Sequence, residues 1–408
     1  MKNNKINLSG YLIYLIGLII FFLSFYLDVD GYGKALSGDF RDTWPYVLKL
    51  NENFWTDPSQ WTLHFPLHYF LLAKSYLVIG DTYLVRIFFS LISLFTPYLF
   101  YLCLRNKYEI SKNNLLIISS LVLFTPSFVY SAVWANDNNL SYIFILLGTL
   151  FHIKNINLKN SIKNSYLIYT FIFFALACYS RQYYAVLYGY FILSYYNKLS
   201  LKKFLIITIL SAFFASPGII FLYNFPALFG DLAFSGNISN TLIGNLSALS
   251  VYTFPIFLIN FFFNYSQIFS LKRFTSKFLI STFIFFLLFT FHNIQTMGQN
   301  GGIFFIYSNL IFKNYYLFYV ISFINLFVIL NLFNNKYDLL ILFSIILMIS
   351  GIIVLQKYFE PLFFIFFFLY SESKYKNIFL HNSNALFFLI FLNFLYFTIS
   401  LSDIVSRI

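Results

Sequence analysis

His64-Phe65-Pro66-Leu67-His68-Tyr69-Phe70-Leu71-Leu72-Ala73-Lys74 is the stretch on which the topology of this chain turns. It is apolar enough to enter a bilayer, yet it carries two histidines, a proline and a lysine. If 64–79 spans, every later loop changes side and the Lys/Arg-rich loops fall outside. If it lies along the outer interface, those loops fall inside: Arg105/Lys107/Lys112, Lys154/Lys159/Lys163, Lys198/Lys202/Lys203, Lys272/Arg273/Lys277, Lys336 and Lys374/Lys376. With Lys2 and Lys5, that puts 17 of the 26 basic residues on the inner side and leaves 224–245 and 293–302 outside without a Lys or Arg. Positive charge collects on the cytoplasmic side of membrane proteins. The segment therefore reads as interfacial, with the N-terminus cytoplasmic and the C-terminus outside.

The rest of the chain fits a membrane setting. Of 408 residues, 60% are hydrophobic, 24% aromatic and 10% charged, with a mean hydropathy of +0.76; soluble domains carry roughly 25% charge. The expected class is an all-α polytopic membrane protein forming one domain over 1–408, since no internal repeat or linker interrupts it. A span needs about 20 apolar residues. Candidate spans are 10–27, 83–103, 115–132, 137–153, 166–180, 183–196, 204–223, 246–265, 278–292, 315–333, 338–355, 358–370 and 385–401, about thirteen transmembrane helices. The first reads as a retained helix rather than a cleaved signal, because no small-residue cleavage site follows it. The net charge of +12 is spread singly or in threes over short loops, an orientation signal rather than a nucleic-acid surface. Cys103 and Cys178 lie inside apolar runs and form neither a metal spacing nor a disulfide framework.

Outward from 64–79, the acidic residues concentrate. Six of the chain's 14 (Asp28, Asp30, Asp39, Asp42, Glu52 and Asp57) fall in one polar island ahead of it. A carboxylate beside a bilayer is costly unless it faces water or a partner, so the outer loop of about 28–82 is where chemistry is expected. The same topology puts Trp134-Ala135-Asn136-Asp137, Ser180-Arg181-Gln182, Asp231, His292-Asn293 and Gln356-Lys357-Tyr358-Phe359-Glu360-Pro361 on the outer side.

Gly38-Asp39-Phe40, the aromatics Trp44 and Tyr46, and Trp61-Thr62-Leu63-His64-Phe65-Pro66 resemble the first outer loop of the GT-C glycosyltransferases, in particular the dolichyl-phosphate-glucose-dependent enzymes. Phe65-Pro66-Leu67-His68-Tyr69, Gly80-Asp81-Thr82-Tyr83-Leu84-Val85-Arg86-Ile87 and Lys357-Tyr358-Phe359-Glu360-Pro361 are similar to elements of the bacterial lipid-linked sugar transferases. The likeness covers roughly 10–155 and one late motif. His64 stands where the glucosyltransferase pattern has Asp, Leu67 replaces a second Pro, and Lys357 replaces Arg. The resemblance implies an interfacial-helix outer loop and inverting transfer of a sugar from a polyprenyl-phosphate donor to a lipid-linked or cell-surface glycan; the charge topology puts this on the outer face, and the Ile, Asn and Lys bias fits a bacterial inner or plasma membrane.

Glycosyl transfer needs a base for the proton of the attacking hydroxyl. The resemblance gives that role to Asp39, with Asp42 as the alternative. A phosphate leaving group needs cations; Lys357 and Arg181 are the candidates, with Tyr358 adding a hydrogen bond. Lys357 could instead snorkel at a helix end, and Arg181 could pair structurally with Asp137 or Glu360. Arg86 reads as a structural ion-pair partner. His64 and His68 are four apart, so a helix would put both on one face; metal binding, positioning of acceptor or phosphate, and no special role are all open for them. Trp61, with Trp44 and Trp55, suits either sugar stacking or interface anchoring. No cofactor is implied; a divalent metal stays open without being indicated by any residue pattern. Two other classes compete. A lipid-linked glycan transporter or flippase calls for symmetric halves and charges deep in helices. An O-antigen polymerase or ligase calls for a large late outer loop.

Overall fold

The computed structural model describes residues 8–27, 36–62, 64–158, 163–196, 199–226, 228, 238–268, 271–293, 302–348 and 359–405, without the side chains of 36–39, 264–273 and 401–405. Lys357, Tyr358 and the side chain of Asp39 therefore lie outside the described residues.

The described chain is helical, with no strand. In order the helices are α1 (Ser9–Tyr26), α2 (Leu36–Glu52), α3 (Leu67–Ile79), α4 (Thr82–Ser93), α5 (Phe95–Lys107), α6 (Lys112–Ser120), α7 (Pro126–Val133), α8 (Asp137–Ile156) and α9 (Asn164–Ser180). They continue as α10 (Ala185–Ser194), α11 (Leu201–Asn224), α12 (Ile238–Ile268), α13 (Leu271–Thr290), α14 (Gly302–Phe312), α15 (Tyr316–Leu332), α16 (Lys336–Met348), α17 (Leu362–Ile365), α18 (Lys376–His381) and α19 (Ser383–Val405).

Among the described residues five helical stretches are long and apolar enough to cross a membrane: Ser9–Tyr26, Thr82–Lys107, Leu201–Asn224, Ile238–Phe263 and Ser383–Ser400. They match the expected spans beginning at 10, 83, 204, 246 and 385. A sixth arises if Lys112–Phe124 and Pro126–Val133, bent by 64°, count together. The expected span 115–132 corresponds to this bent pair. Pro126 has no N–H to continue the helix and holds Thr125 extended (φ −95°, ψ 119°). Among the described residues the count of thirteen is not confirmed. Asn164–Ser180 and Tyr316–Leu332 are apolar but only 17 residues each, and α8 carries Asp137, Asn138, Asn139, His152 and Lys154 along its length.

The outermost helices turn apolar side chains outward, as on α11 with Ile209 at 70% and Phe213 at 69% exposure. In the interior, Leu362–Tyr370 is buried at every position, as expected for a helix that is hydrophobic all round. Its C-terminal carbonyls, unsatisfied by the helix itself, are capped from outside. Lys107 Nζ donates to Leu369 O, Tyr108 OH to Phe368 O and Lys376 Nζ to Ser371 O, with the cations on the negative end of the helix dipole.

The segment at 64–79 forms a helix shorter than the bilayer core is thick. α3 has 13 residues, a rise of about 20 Å, against a hydrocarbon core of about 30 Å. Pro66 precedes it and Gly80 ends it in the left-handed region (φ 75°), where a residue without Cβ is unstrained. Asp81 then caps α4, its Oδ1 accepting from Leu84 N at 2.8 Å. The Gly80-Asp81 pair is therefore a helix stop followed by a helix start. α2 packs on α3: Tyr46, Val47 and Leu50 are buried with Tyr69, Leu72 and Ala73.

Candidate functional site

The site is built on the turn between α7 and α8. Trp134 N still bonds back to Tyr130 O at 3.2 Å, and Asn136 N reaches Ser131 O at 2.8 Å. The chain reverses through Ala135, which sits at φ 51°, a conformation that costs a residue with a Cβ about 1 kcal/mol or more. Its carbonyl oxygen meets His68 Nε2 at 2.7 Å. Burial pushes the His68 imidazole down to about 4, so it is neutral at pH 7.

One residue past the turn, Asp137 opens α8 at 3% exposure. An isolated buried carboxylate would be prohibitive. Arg181, itself 3% exposed at the end of α9, supplies the partner: Nη2 lies 2.6 Å from Asp137 Oδ1. Arg181 Nη1 also donates to Tyr183 OH. Tyr183 OH donates in turn to Asn138 Oδ1 at 3.2 Å. His64 Nε2 stands 3.9 Å from Asp137 Oδ2, an oxygen that is buried with no hydrogen-bond partner among the described residues. Arg86 closes the far side, with Cζ 4.5 Å from the Trp134 ring centre, 5.0 Å from Phe25 and 5.1 Å from Tyr83, an aromatic cage for a cation.

Of the residues expected at the site, His64, His68 and Arg181 come together here. The two histidines do so differently from the expectation of a shared helix face. α3 begins only at Leu67, so His64 sits in the preceding bend and faces Asp137 while His68 faces the Ala135 carbonyl. Arg181 is ion-paired with Asp137, one of the two partners its isolation suggested. Asp42 stands apart: its side chain is 67% exposed and pairs with Arg41 Nε at 3.2 Å. Two residues before it, Phe40 packs toward Trp134 at 6.4 Å between ring centres. At 100° per residue Asp42 is on the other side of α2. Asp39 precedes Phe40 in the first turn of α2. Trp61 is already engaged, stacked on Tyr46 at 5.8 Å with Lys49 Nζ 4.3 Å from its ring centre. Trp44 is likewise stacked on Phe40, and Trp55 on Phe221.

Glu360, from the late motif, reaches the same corner of the fold. It is 1% exposed; its Oε2 accepts from Ser127 N at 2.6 Å, its Oε1 accepts from Tyr252 OH, and its main-chain oxygen accepts from Tyr142 OH at 2.7 Å. Tyr142 is five residues down α8 from Asp137, about 7.5 Å along the axis.

Beside the polar cluster runs an apolar cleft in two adjoining parts. One, of about 210 Å³, is lined by Cys178, Gln182, Tyr183, Tyr188 and Leu222 among others; the other, of about 270 Å³, by Trp55, Pro66, Leu67 and Phe221 among others. Phe65, Tyr179 and Gly218 border both. Gly218 permits the close approach: a Cβ there would meet Tyr179 Cε1 at 2.9 Å and Phe65 Cε2 at 3.3 Å. Pro217 leaves the Phe213 carbonyl without its helical donor; Ser216 Oγ supplies one at 2.7 Å, and Tyr179 OH donates to the neighbouring Phe214 O.

Asp137, Asn138 and Tyr183 were not among the site residues expected from sequence. The available signal was charge complementarity, with a lone Asp and a lone Arg each beside an apolar run on the same expected side. Among the described residues no three His, Cys, Asp or Glu side chains group as a metal site. Comparison with protein-family models, with curated proteins and with solved structures found no match.

Proposed function

We propose that this chain is an integral-membrane glycosyltransferase of the GT-C type. In this reading it moves a sugar from a polyprenyl-phosphate donor to a lipid-linked or cell-surface glycan on the outer face of a bacterial inner or plasma membrane. One observation carries the reading: groups far apart in the chain (the Phe40 end of α2, His64, His68, Asp137, Arg181 and Glu360) meet at one corner, next to an apolar cleft. A lipid phosphate has a long apolar chain and an anionic head, and such a corner offers both environments. Gln182 and Tyr183 line the cleft directly after Arg181, and Phe65 lines it directly after His64.

The chemistry follows. The acceptor hydroxyl attacks the anomeric carbon, the bond from that carbon to the phosphate oxygen breaks, and the electron pair leaves with polyprenyl phosphate. The hydroxyl proton passes to a carboxylate of the outer loop, Asp39 or Asp42. Arg181 directly precedes the cleft-lining Gln182 and Tyr183, and its guanidinium is held in place by Asp137 and Tyr183. A preorganised donor of this kind stabilises developing charge at little reorganisation cost. Lys357 and Tyr358 are assigned to the same phosphate.

The reading is tested by transfer from a polyprenyl-phosphate sugar with Asp39→Asn and Asp42→Asn proteins run in parallel. Loss of turnover in one of them identifies the base. Turnover within a few-fold of wild type in both removes the loop carboxylates from the reaction.

A further inference from the structure

The turn that carries Asp137 is the apex of a hairpin whose legs are α7 and α8. Both legs are tied to one residue, Glu360. Its carboxylate accepts the N–H of Ser127, the second residue of α7. That N–H is one of the donors that a helix start leaves unsatisfied, and a carboxylate is favoured there by the helix dipole. Its main-chain oxygen accepts from Tyr142 on α8. The other carboxylate oxygen accepts from Tyr252 on α12. Glu360 is thus a crossbrace. It joins the head of the eight-residue α7, about 12 Å long, to a point on α8 about 7.5 Å below Asp137. It also anchors both legs to a third helix.

The apex is also held by Asn136 N on Ser131 O, by the Asp137–Arg181 pair and by Arg86 against the Trp134 ring. The Ser90 hydroxyl donates to Ala132 O at 2.6 Å and Asn139 Nδ2 to Phe128 O at 3.2 Å. Beyond these, the left-handed Ala135 and its contact with His68 depend on how the legs meet. A change in the angle between the legs moves Ala135 away from His68 and Asp137 away from Arg181 and His64.

We propose that Glu360 is a positioning residue for the candidate site, holding α7 against α8 so that the Trp134–Asp137 turn is presented to His68, His64 and Arg181. The brace is a matter of geometry; its consequence for catalysis rests on the transferase reading above.

The experiment is carbethoxylation of the full-length protein in detergent at pH 7, read by mass spectrometry at each histidine. His68 (1% exposed) is the reporter for the turn. His152 (8% exposed), lower on α8 with its Nδ1 2.8 Å from Tyr195 OH, is the control for general loosening. Glu360→Ala is expected to raise labelling of His68 severalfold and leave His152 protected. Glu360→Gln, which keeps an acceptor for Ser127, is expected to restore wild-type protection. His68 as protected in Glu360→Ala as in wild type overturns the proposal. Equal labelling of His68 and His152 overturns it too, since Glu360 would then hold the whole bundle rather than the turn. In the transfer assay, Glu360→Ala is expected to lower kcat/KM on the order of 10²-fold, the scale of a small misplacement of reacting groups, with Glu360→Gln largely rescuing it. A wild-type protein without transfer activity refutes the transferase reading and leaves the labelling result standing.

Discussion

The Asp137–Arg181 pair allows the most demanding test of the site's architecture. Both side chains are at most 4% exposed, and they meet at 2.6 Å. At an effective dielectric near 20, charges some 3.5–4 Å apart attract by about 4 kcal/mol, and each has lost hydration of similar size. Removing one partner leaves the other charge buried and unpaired, at a cost of about 3–5 kcal/mol. Replacing both with apolar residues of similar volume removes the pair and its desolvation together. Arg181→Met and Asp137→Leu should each therefore lower the unfolding free energy by about 3–5 kcal/mol, whereas the two together should cost no more than about 2 kcal/mol. The resulting interaction energy is roughly 4 kcal/mol or more, far from additive. The assay is SDS titration of purified protein in mixed micelles, followed by loss of helicity. Single variants each within about 1 kcal/mol of wild type, with additive effects, would refute a buried pair.

Other consequences are smaller and local. His68 titrates near 4 in the fold because burial disfavours its charged form, and near 6.5 in the unfolded chain. Above pH 6.5 both states are neutral; as pH falls toward 4 the unfolded state takes the proton first, so stability declines over that window by about 3 kcal/mol. His68→Gln, which can still donate to Ala135 O, should flatten the pH dependence by that amount in the same titration. An unchanged slope would mean that His68 is not buried. Gly80→Ala should cost about 1 kcal/mol through backbone strain alone, because nothing lies within 4 Å of the added Cβ, and Gly80→Asn should cost less. Asp81→Ala should cost about 1 kcal/mol through loss of the α4 cap; thermal melts resolve both. Gly218→Leu should push Tyr179 and Phe65 into the cleft and reduce retention of polyprenyl phosphate by the protein in nanodiscs, measured by native mass spectrometry. Retention equal to wild type would separate the cleft from the lipid.

Much of the helical content was legible because long apolar runs leave few alternatives. The stretches at 10–27, 83–103, 204–223 and 385–401 reappear within a few residues, and 246–265 begins eight residues earlier, at Ile238. The apolar run at 64–79 is helical only from Leu67 to Ile79, 13 residues. Other features depend on contacts that no local pattern encodes. The break at Thr125-Pro126 lies inside an apolar run that hydropathy reads as continuous. Trp61 looked available to a sugar because its partners, Tyr46 and Lys49, lie a helix away in sequence. The sequence offered Asp137 only as one of two partners for Arg181, not as a site residue. Its weight comes from Arg181, 44 residues later, and from burial that only the packed bundle creates. The acidic island drew attention to Asp42, which the fold leaves exposed beside Arg41.

The central claim concerns what leaves the donor. The decisive measurement is release of polyprenyl phosphate from a radiolabelled polyprenyl-phosphate hexose by the purified protein in nanodiscs, with native membrane lipids as acceptors. It is compared between wild type and the Arg181→Met/Asp137→Leu protein. The account predicts release coupled to labelled glycan in wild type and its loss in the double variant. Equal release from both proteins, or none from wild type with any hexose donor, contradicts it.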